Sequence, residues 1–387
     1  MGLKPTNGAD LNSKVAYLAD PHHFPGHPGA VEVIETHFAW VFMAGSRALK
    51  LKKPVRRASM DYRTLGARER ACRAELRLNR RLAPDVYLRV VALRRTRNGT
   101  LSRRAGGRIV DWLVEMRKLP ATRRLDGLLA RGAVGGRDWH RLLQRLGRFF
   151  NRAERRPMSD RAYLVRLRRQ VGRNVRELGD ADLALNPRKV AALAHAQLEF
   201  LAHNPRIFAG RGARLVDGHG DLRPEHVFVG GRSSDVCVID CLEFDPDLRR
   251  LDPAEEIAFL ALECARLAGP RCAESLLTEY RCVTGDPVSQ ALTGFYMSRR
   301  AAVRAQITAW HLRDEAFAGE ERVWRARAHS YLSEALRLSR RAAALARRTG
   351  PALTVQGKPA SAKGAAPRAR PRPSAEPPDR SAARQAT

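Results

Sequence analysis

Long apolar runs are missing from this sequence. No stretch reaches the roughly 18–20 apolar residues that a membrane-spanning helix needs. The opening MGLKPTNGADLNSK also lacks the apolar centre of a secretory signal. MGLKPT meets the loose pattern for N-myristoylation, but Pro5 is an awkward occupant and the pattern is discounted. These absences make a cytoplasmic protein with no membrane association the expectation. Cysteine is sparse: six residues, none in a C-x-x-C pair and none at zinc-ligand spacing. A disulfide scaffold and a zinc ribbon are thereby excluded, and a reducing compartment is the simple reading. Acid is scarce as well, with 40 Asp and Glu against 71 Lys and Arg and a formal net charge of +31. Such an excess suits a polyanion partner. It suits equally a composition that prefers Arg wherever a cation is tolerated, since Arg far outnumbers Lys and is scattered over nearly every polar segment. Aromatics are only 6% of residues, and no helix-turn-helix, RRM or zinc-finger pattern stands out, which argues against a nucleic-acid-binding module.

What is present is enough apolar material for two lobes. The chain has 387 residues, 44% hydrophobic and 29% charged. Residues 1–30 read as an irregular N-terminal segment, because DPHHFPGHPGA is dense in Pro, Gly and His. Three histidines there (His22, His23, His27) are better read as part of a turn-rich loop than as a metal site. Residues 31–120 read as a small β-rich lobe. VEVIETHFAWVFMAGSRALKLKKPV holds two apolar runs around the hairpin signal AGSR, ARERACRAELRLNRRL has helical periodicity, and YLRVVALRR and IVDWLVEMRKL read as strands. Residues 121–348 read as a mainly helical lobe, interrupted by two short strands around GGRSSD. Residues 349–387 are rich in Pro, Ala and Arg and poor in large apolar residues; a disordered basic tail is expected, and with it the one plausible route to a nucleic-acid contact.

The interruption carries the chemistry. VDGHGDLRPEHVFV gathers His219, Asp221, Arg223, Glu225 and His226 around a Gly-Asp turn that leads into an apolar run. Phosphoryl transfer from a nucleotide asks for a cation on the phosphates, an acid to hold that cation, one or two metal ligands, and a carboxylate beside the attacking hydroxyl. Each has a candidate, in the chain order of a bilobal kinase. Asp221 can orient a substrate hydroxyl and accept its proton. Asp240 ends the apolar strand VCVID, a platform for a carboxylate reaching Mg²⁺. Lys50 lies on the third strand of the first lobe, and Glu75 on the next helix could pair with it. Lys50 and Lys52 share one face of their strand, so alternation alone does not choose between them. His219 reads as a structural hydrogen-bonding residue, and Asp217 and Asp252 as residues that cap turns or bind backbone around the loop.

HGDLRPEH followed by IDCLEF resembles the loop and strand end (HGDxxxxN, then IDxE) of the aminoglycoside phosphotransferase-like, or choline kinase-like, branch of the protein-kinase fold. ETHFAWVF, KLKKPV, ELRLNRRLAPDVYL and IDCLEFDPDLRRLDPAEEIAFL extend the resemblance over roughly residues 15–345, to an uncharacterised bacterial subgroup. Some members of that subgroup carry an added ATPase domain, which is not expected here. The resemblance implies an α+β, bilobal protein-kinase-like fold, with a nucleotide-binding N-lobe over 31–120 and a C-lobe over 121–348 that carries the catalytic loop. It also implies ATP and Mg²⁺ as cofactors, and Lys50 rather than Lys52 as the phosphate lysine. Thr36 and His37 stand in the phosphate-covering loop IETHFAWV, which has no glycine, so their side chains are expected to take over from a backbone cradle. The backbone of Glu115, Met116 and Arg117 is expected to meet adenine where the chain crosses between lobes. At the position five after Asp221, where most of the family has Asn, this chain has His226. With Asp240 it is the expected metal pair, and an imidazole there turns preference from Mg²⁺ toward Mn²⁺; Glu225 and Glu243 are alternative oxygen donors.

Three functions are compatible with these residues. The first is an ATP-dependent kinase acting on a small-molecule hydroxyl. The second is a pseudokinase or regulatory nucleotide-binding module, motivated by His226 and the glycine-free loop. The third is a basic nucleic-acid-binding protein. Because SDRAYLVRLRRQVGRNVRELGD and YMSRRAAVRAQITAW are basic, a neutral or anionic acceptor is expected over a polycationic antibiotic.

Overall fold

The structure, a computed structural model, describes residues 7–57, 60–230, 236–313, 317 and 319–349. Two apolar clusters on opposite faces of one antiparallel sheet organise its first third. Strands β1 (Glu32–Glu35), β2 (Ala39–Ala44), β3 (Arg47–Lys52), β6 (Tyr87–Arg95), β7 (Leu101–Ser102) and β8 (Arg108–Arg117) line up in the order β1-β2-β3-β8-β6-β7. The short pair β4 (Arg56–Arg57) and β5 (Met60–Asp61) stands apart from them. Ala44 faces Arg47 across the β2–β3 hairpin. The two-residue turn between them needs a positive φ, which Gly45 supplies at +54°.

Side-chain alternation in β3 separates its leucines from its lysines. Leu49 and Leu51 point to one face and join Phe42, Leu93 and Leu113. Ala48 points to the other, with Cys72, Tyr87 and Val114, and Lys50 and Lys52 share its parity. That second face is covered by α2 (Leu65–Asn79), whose Thr64 side chain caps the helix by accepting from the Ala67 N–H at 3.2 Å. The first face is covered by α1 (Asn7–Ala19), with Leu11, Val15 and Leu18 at helical spacing against the sheet. This corrects the expectation of an irregular segment over 1–30. The Pro, Gly and His that suggested it lie after the helix, while Lys14 is drawn in by Asp111 at 3.0 Å. Asp111 also accepts from Arg68 Nε on α2 at 2.7 Å, so one carboxylate of the central strand ties both covering helices.

From residue 121 onward the chain is mainly helical, as expected: α3 (Leu125–Ala130), α4 (Gly136–Arg152), α5 (Asp160–Leu178), α6 (Pro187–His203), α7 (Pro246–Arg249), α8 (Pro253–Ala268), α9 (Pro270–Thr284), α10 (Gln290–Trp310) and α11 (Glu321–Thr349). Helix α8 is buried on every side from Ala254 to Cys264, as its composition, apolar all round apart from three glutamates, requires. Its apolar side chains belong to one core cluster with Leu142, Leu167, Phe200, Phe208, Phe295 and Leu332. Two small strand pairs hold the loop segment: β9 (Val216–Asp217) with β12 (Arg250–Leu251), and β10 (Val227–Phe228) with β11 (Cys237–Val238). The latter pair is the one read from the sequence; most of its GGRSSD turn, like the basic tail, falls outside the described residues. The whole is the α+β, bilobal arrangement expected. Among the described residues no helix is long and apolar enough to cross a membrane.

A buried ion cluster locks the second lobe. Arg211 donates through Nε to Asp252 at 2.6 Å and through Nη1 to Asp286 at 2.6 Å. Tyr296 and Tyr280 donate to the same two carboxylates, each at 2.8 Å. Asp252 thus does more than the turn capping read from the sequence. Replacing Arg211 strands two buried carboxylates, a loss on the order of 3–5 kcal/mol. Arg211→Met should therefore move the urea midpoint far lower, and a shift equivalent to less than about 1 kcal/mol would show that the cluster is not structural.

Candidate active site

Because Lys50 and Lys52 sit on one face of β3 with α2 laid across it, both reach the same buried acid. Lys50 Nζ lies 2.9 Å from Glu75 Oε1, and Lys52 Nζ lies 2.6 Å from Oε2. Burial would raise the Glu75 carboxyl, but the two ammonium groups outweigh it and hold the pKa below the usual range. The lysines then diverge. Lys50, nearer the cleft, also contacts Asp240 Oδ1 at 2.7 Å. Lys52 is fully enclosed and pairs with Glu243, to which Tyr62 donates at 2.5 Å. Each lysine is pushed up despite burial: Lys50 by Asp240 and Glu75, Lys52 by Glu243 and Glu75.

Asp240 is the hinge of the arrangement. Its backbone is left-handed, φ +62°, a conformation that Asp tolerates better than most residues and that is held by surrounding structure. The hold here is the Asp240 N–H donating to the buried Tyr87 hydroxyl at 3.1 Å, followed by Cys241 N–H to Asn79 at 2.8 Å. The side chain remains 43% exposed, so one carboxylate edge faces the cleft while the other is spoken for by Lys50. His226 Nε2 stands 3.5 Å from Asp240 Oδ2. Its Nδ1 is 2.8 Å from the Asp221 carbonyl. That bond requires the proton on Nδ1 and turns Nε2 toward Asp240, with Arg223 Nη2 at 3.4 Å. His226 therefore points into the cleft and not toward the lobe behind it.

Asp221 sits across from this pair, in a turn built on Gly220 at φ +90°. Burial would raise its pKa, but Arg223 and His226 hold it below the usual carboxylate range. Arg223 Nε is 3.1 Å from Asp221, and its Nη1 is 2.6 Å from Glu225. The turn is suspended from α8: Glu256 Oε1 accepts from the N–H groups of His219 at 2.7 Å and Gly220 at 2.6 Å. His219 is structural, as read, with Nε2 donating to the Ile239 carbonyl at 2.9 Å. Burial pushes its pKa down to about 4, so it stays neutral. Asp217 likewise binds its surroundings, accepting from Arg249 at 2.9 Å and Arg81 at 3.0 Å.

The structure thus brings Lys50, Glu75, Asp221, His226 and Asp240 into one cleft. It does not bring the remaining candidates there as expected. Thr36 closes its own turn, its hydroxyl donating to the Ala39 carbonyl at 2.9 Å and accepting from the Ala39 N–H at 3.1 Å, so it is not presented to a phosphate. His37 is drawn to the second lobe, Nε2 to Nε2 of His311 at 2.8 Å. Glu115, Met116 and Arg117 close strand β8, all three in register with β3, the first two also with β6, and the Arg117 N–H donates to the Val86 carbonyl at 2.8 Å. The strand ends at Arg117, and the crossing begins at Lys118. Glu225 and Glu243, the alternative oxygen donors, are engaged by Arg223 and Lys52. Among the described residues no group of three or more His, Cys, Asp or Glu is arranged to hold an ion unaided. Sequence reasoning missed Glu256 and the second lysine's separate acid. It quoted Arg223 without giving it a role, although its place two residues after Asp221 was a usable signal.

No family model matches the chain. Uncharacterised proteins of Mycobacterium tuberculosis and Mycobacterium bovis are 33% identical to it over 292 residues, covering 74% of this chain. The chain spans 56% of the length of these curated relatives. Among solved structures, the chain resembles aminoglycoside phosphotransferases and a choline/ethanolamine kinase-family protein. An aminoglycoside phosphotransferase solved with GDP and kanamycin aligns at TM-score 0.49 and 14% identity, covering 85% of this chain and 98% of the other. One from Streptomyces rimosus, with ADP and streptomycin, aligns at 0.46 and 17%, covering 75% and 97%. The kinase-family protein, from Mesorhizobium loti, aligns at 0.45 and 13%, covering 85% and 99%.

Glu256 generates a pH prediction. Burial pushes its carboxyl up to about 7, against 4.5 for the ordinary group. Folding therefore favours the neutral form, and the stability this contributes is complete below pH 4.5 and lost as pH rises through 7. Glu256→Gln keeps an acceptor for both amides and removes the titration. Wild type should lose stability relative to this variant between about pH 5 and 8 in urea unfolding; parallel profiles would remove Glu256 from that role.

Proposed function

We propose that the protein is an ATP-dependent phosphotransferase, aminoglycoside phosphotransferase-like, that transfers the γ-phosphoryl group to a hydroxyl of a small molecule. One observation carries the reading: Asp240 is contacted by Lys50 at 2.7 Å on its N-lobe side and approached by His226 at 3.5 Å on the side of the Asp221 turn. A phosphate cation, its acid and a metal carboxylate thus converge opposite a second carboxylate poised for the acceptor. Lys50, steadied by Glu75, would bind the phosphates, and Asp221 would orient the attacking hydroxyl and take its proton as the bond forms. A carboxylate held ionised by Arg223 is a weak base, which suits a loose transition state in which orientation matters more than deprotonation. Arg223, next to Asp221, supplies positive charge on the path of the moving phosphoryl group.

The donor set fits a divalent cation completed by phosphate oxygens and water. Asp240 offers one oxygen, and His226 one nitrogen whose tautomer is set by the Asp221 carbonyl. Such an ion would neutralise charge between the phosphates. A hard cation such as Mg²⁺ gains less from the imidazole than Mn²⁺ does. The acceptor is read as neutral or anionic: Glu225 is paired with Arg223, and Glu263 accepts from Tyr331 at 2.8 Å with Arg304 at 3.5 Å. These acids are not free to receive a polycation. A regulatory nucleotide-binding module is the second reading, favoured by the closed turn at Thr36.

Asp221→Asn should leave nucleotide affinity and the melting temperature near wild type while lowering phosphoryl transfer roughly 10²–10⁴-fold. An acceptor screen for ATP consumption, in Mg²⁺ and in Mn²⁺, supplies the assay. Tight nucleotide binding with no turnover on any acceptor would favour the regulatory module. His226→Asn should raise Mg²⁺-supported turnover relative to Mn²⁺, and lower Mn²⁺ affinity measured by its paramagnetic resonance signal in the presence of nucleotide. An unchanged ratio and affinity would take His226 out of the metal site.

A further inference from the structure

Just past the end of α2, Arg81 sits where three segments of the cleft meet. Its side chain is 24% exposed, and all three guanidinium nitrogens are engaged. Nε donates to the Leu78 carbonyl of α2 at 3.0 Å. Nη1 donates to the Asp217 carbonyl at 2.8 Å and to the Asp217 carboxylate at 3.0 Å. Nη2 donates to the Gly218 carbonyl at 2.7 Å and to Cys241 Sγ at 3.3 Å. Gly218 leads directly into the His219–Gly220–Asp221 turn, and Cys241 follows Asp240. One side chain thus touches the helix that carries Glu75, the loop that carries Asp221 and the segment that carries Asp240.

We propose that Arg81 is a positioning residue for phosphoryl transfer, holding the Asp221 turn and the Asp240 segment in register with α2; the proposal rests on the kinase reading of the same cleft. Three of its five acceptors are main-chain carbonyls, so the contact fixes backbone more than it balances charge. The one carboxylate among them, Asp217, has a second cation in Arg249 at 2.9 Å. The guanidinium is itself held in place. Its carbon lies 5.0 Å from the ring centroid of Phe149 on α4, and Arg145 of the same helix donates to the Leu82 carbonyl at 3.1 Å. Cys241 is tied to α2 a second time, its N–H donating to Asn79 at 2.8 Å.

Register matters because the reacting groups come from both lobes. Lys50 spans the gap from Glu75 to Asp240, and Arg81 spans the gap from α2 to the loop before Asp221. With both in place, the phosphate side and the acceptor side of the cleft move as one unit. A misplacement of about 1 Å in the reacting groups costs on the order of 10²-fold in rate. The loss falls on the chemical step, because Arg81 touches neither the phosphate lysine nor the carboxylates that face the cleft. A lysine at this position keeps the charge but offers one nitrogen where the planar fork offers three. Charge alone therefore does not restore the register.

Amide hydrogen exchange on the full chain tests the tie directly. Arg81→Lys should speed exchange in peptides covering the end of α2, the Gly218–Asp221 turn and the Asp240–Cys241 segment together. Loosening confined to the end of α2 would overturn the proposal. This measurement needs no turnover, so it separates failure of the proposal from failure of the kinase reading. With an acceptor in hand, Arg81→Lys should lower kcat about 10²-fold while the KM values for nucleotide and acceptor stay within a few-fold of wild type. A wild-type kcat, or a loss carried by KM, would remove the positioning role. Should Arg81→Lys fail to fold, wild-type exchange in low urea still decides. The three segments should then open with one common urea dependence, and independent opening would overturn the tie.

Discussion

Two ammonium groups on one buried carboxylate cannot be balanced within the first lobe. Lys50 and Lys52 reach Glu75 together, and the surplus positive charge is met by Asp240 and Glu243 from the second lobe. A buried charge left unpaired costs several kcal/mol, so the lobes complete one another electrostatically, and the cleft forms where that balance is struck. Strand alternation in β3 puts both lysines on the α2 face, and Tyr87, packed beside α2, receives the Asp240 amide. The site is assembled by the charge requirement as much as by the apolar packing around it.

The second lobe solves a different problem, that of holding a turn without rigid neighbours. The backbone amides at His219 and Gly220 would be costly to bury unpaired, and α8 reaches them with Glu256. The same helix presents Asp252 at its N-terminus to the Arg211 cluster and Glu263 toward Tyr331. A helix buried on all sides thus delivers acids at three levels, each to a different partner.

Much of this was legible in the sequence. Periodicity and turn signals located α2, the hairpin at Gly45 and the strands around Val227 and Val238, and the order of Lys50, Glu75, Asp221 and Asp240 pointed to a shared cleft. Lys50 and Lys52 were correctly read as sharing a face, but that each would carry its own second acid depends on the other lobe. The helix at the N-terminus was missed because the Pro- and Gly-rich stretch after it dominated the reading. Thr36 was misjudged because a hydroxyl two or three residues before its backbone partners closes a local turn more cheaply than it waits for a ligand. Glu115 to Arg117 fall within β8, the strand that IVDWLVEMRKL announced, and the crossing starts one residue later.

The loop that lacks glycine is fastened at its rim. His37 meets His311 at 2.8 Å, and His311 in turn stacks on Trp324 with ring centroids 3.7 Å apart. The covalent crossing that starts at Lys118 lies elsewhere, and between the two stand the ion pairs of Lys50 with Asp240 and Lys52 with Glu243. Attachments spread this widely suppress the free hinge-like gape available to a pair of lobes joined at one point. Opening wide would have to part the imidazole pair at the rim as well as the ion pairs within, so a neutral aromatic contact and a buried charge balance would be broken together.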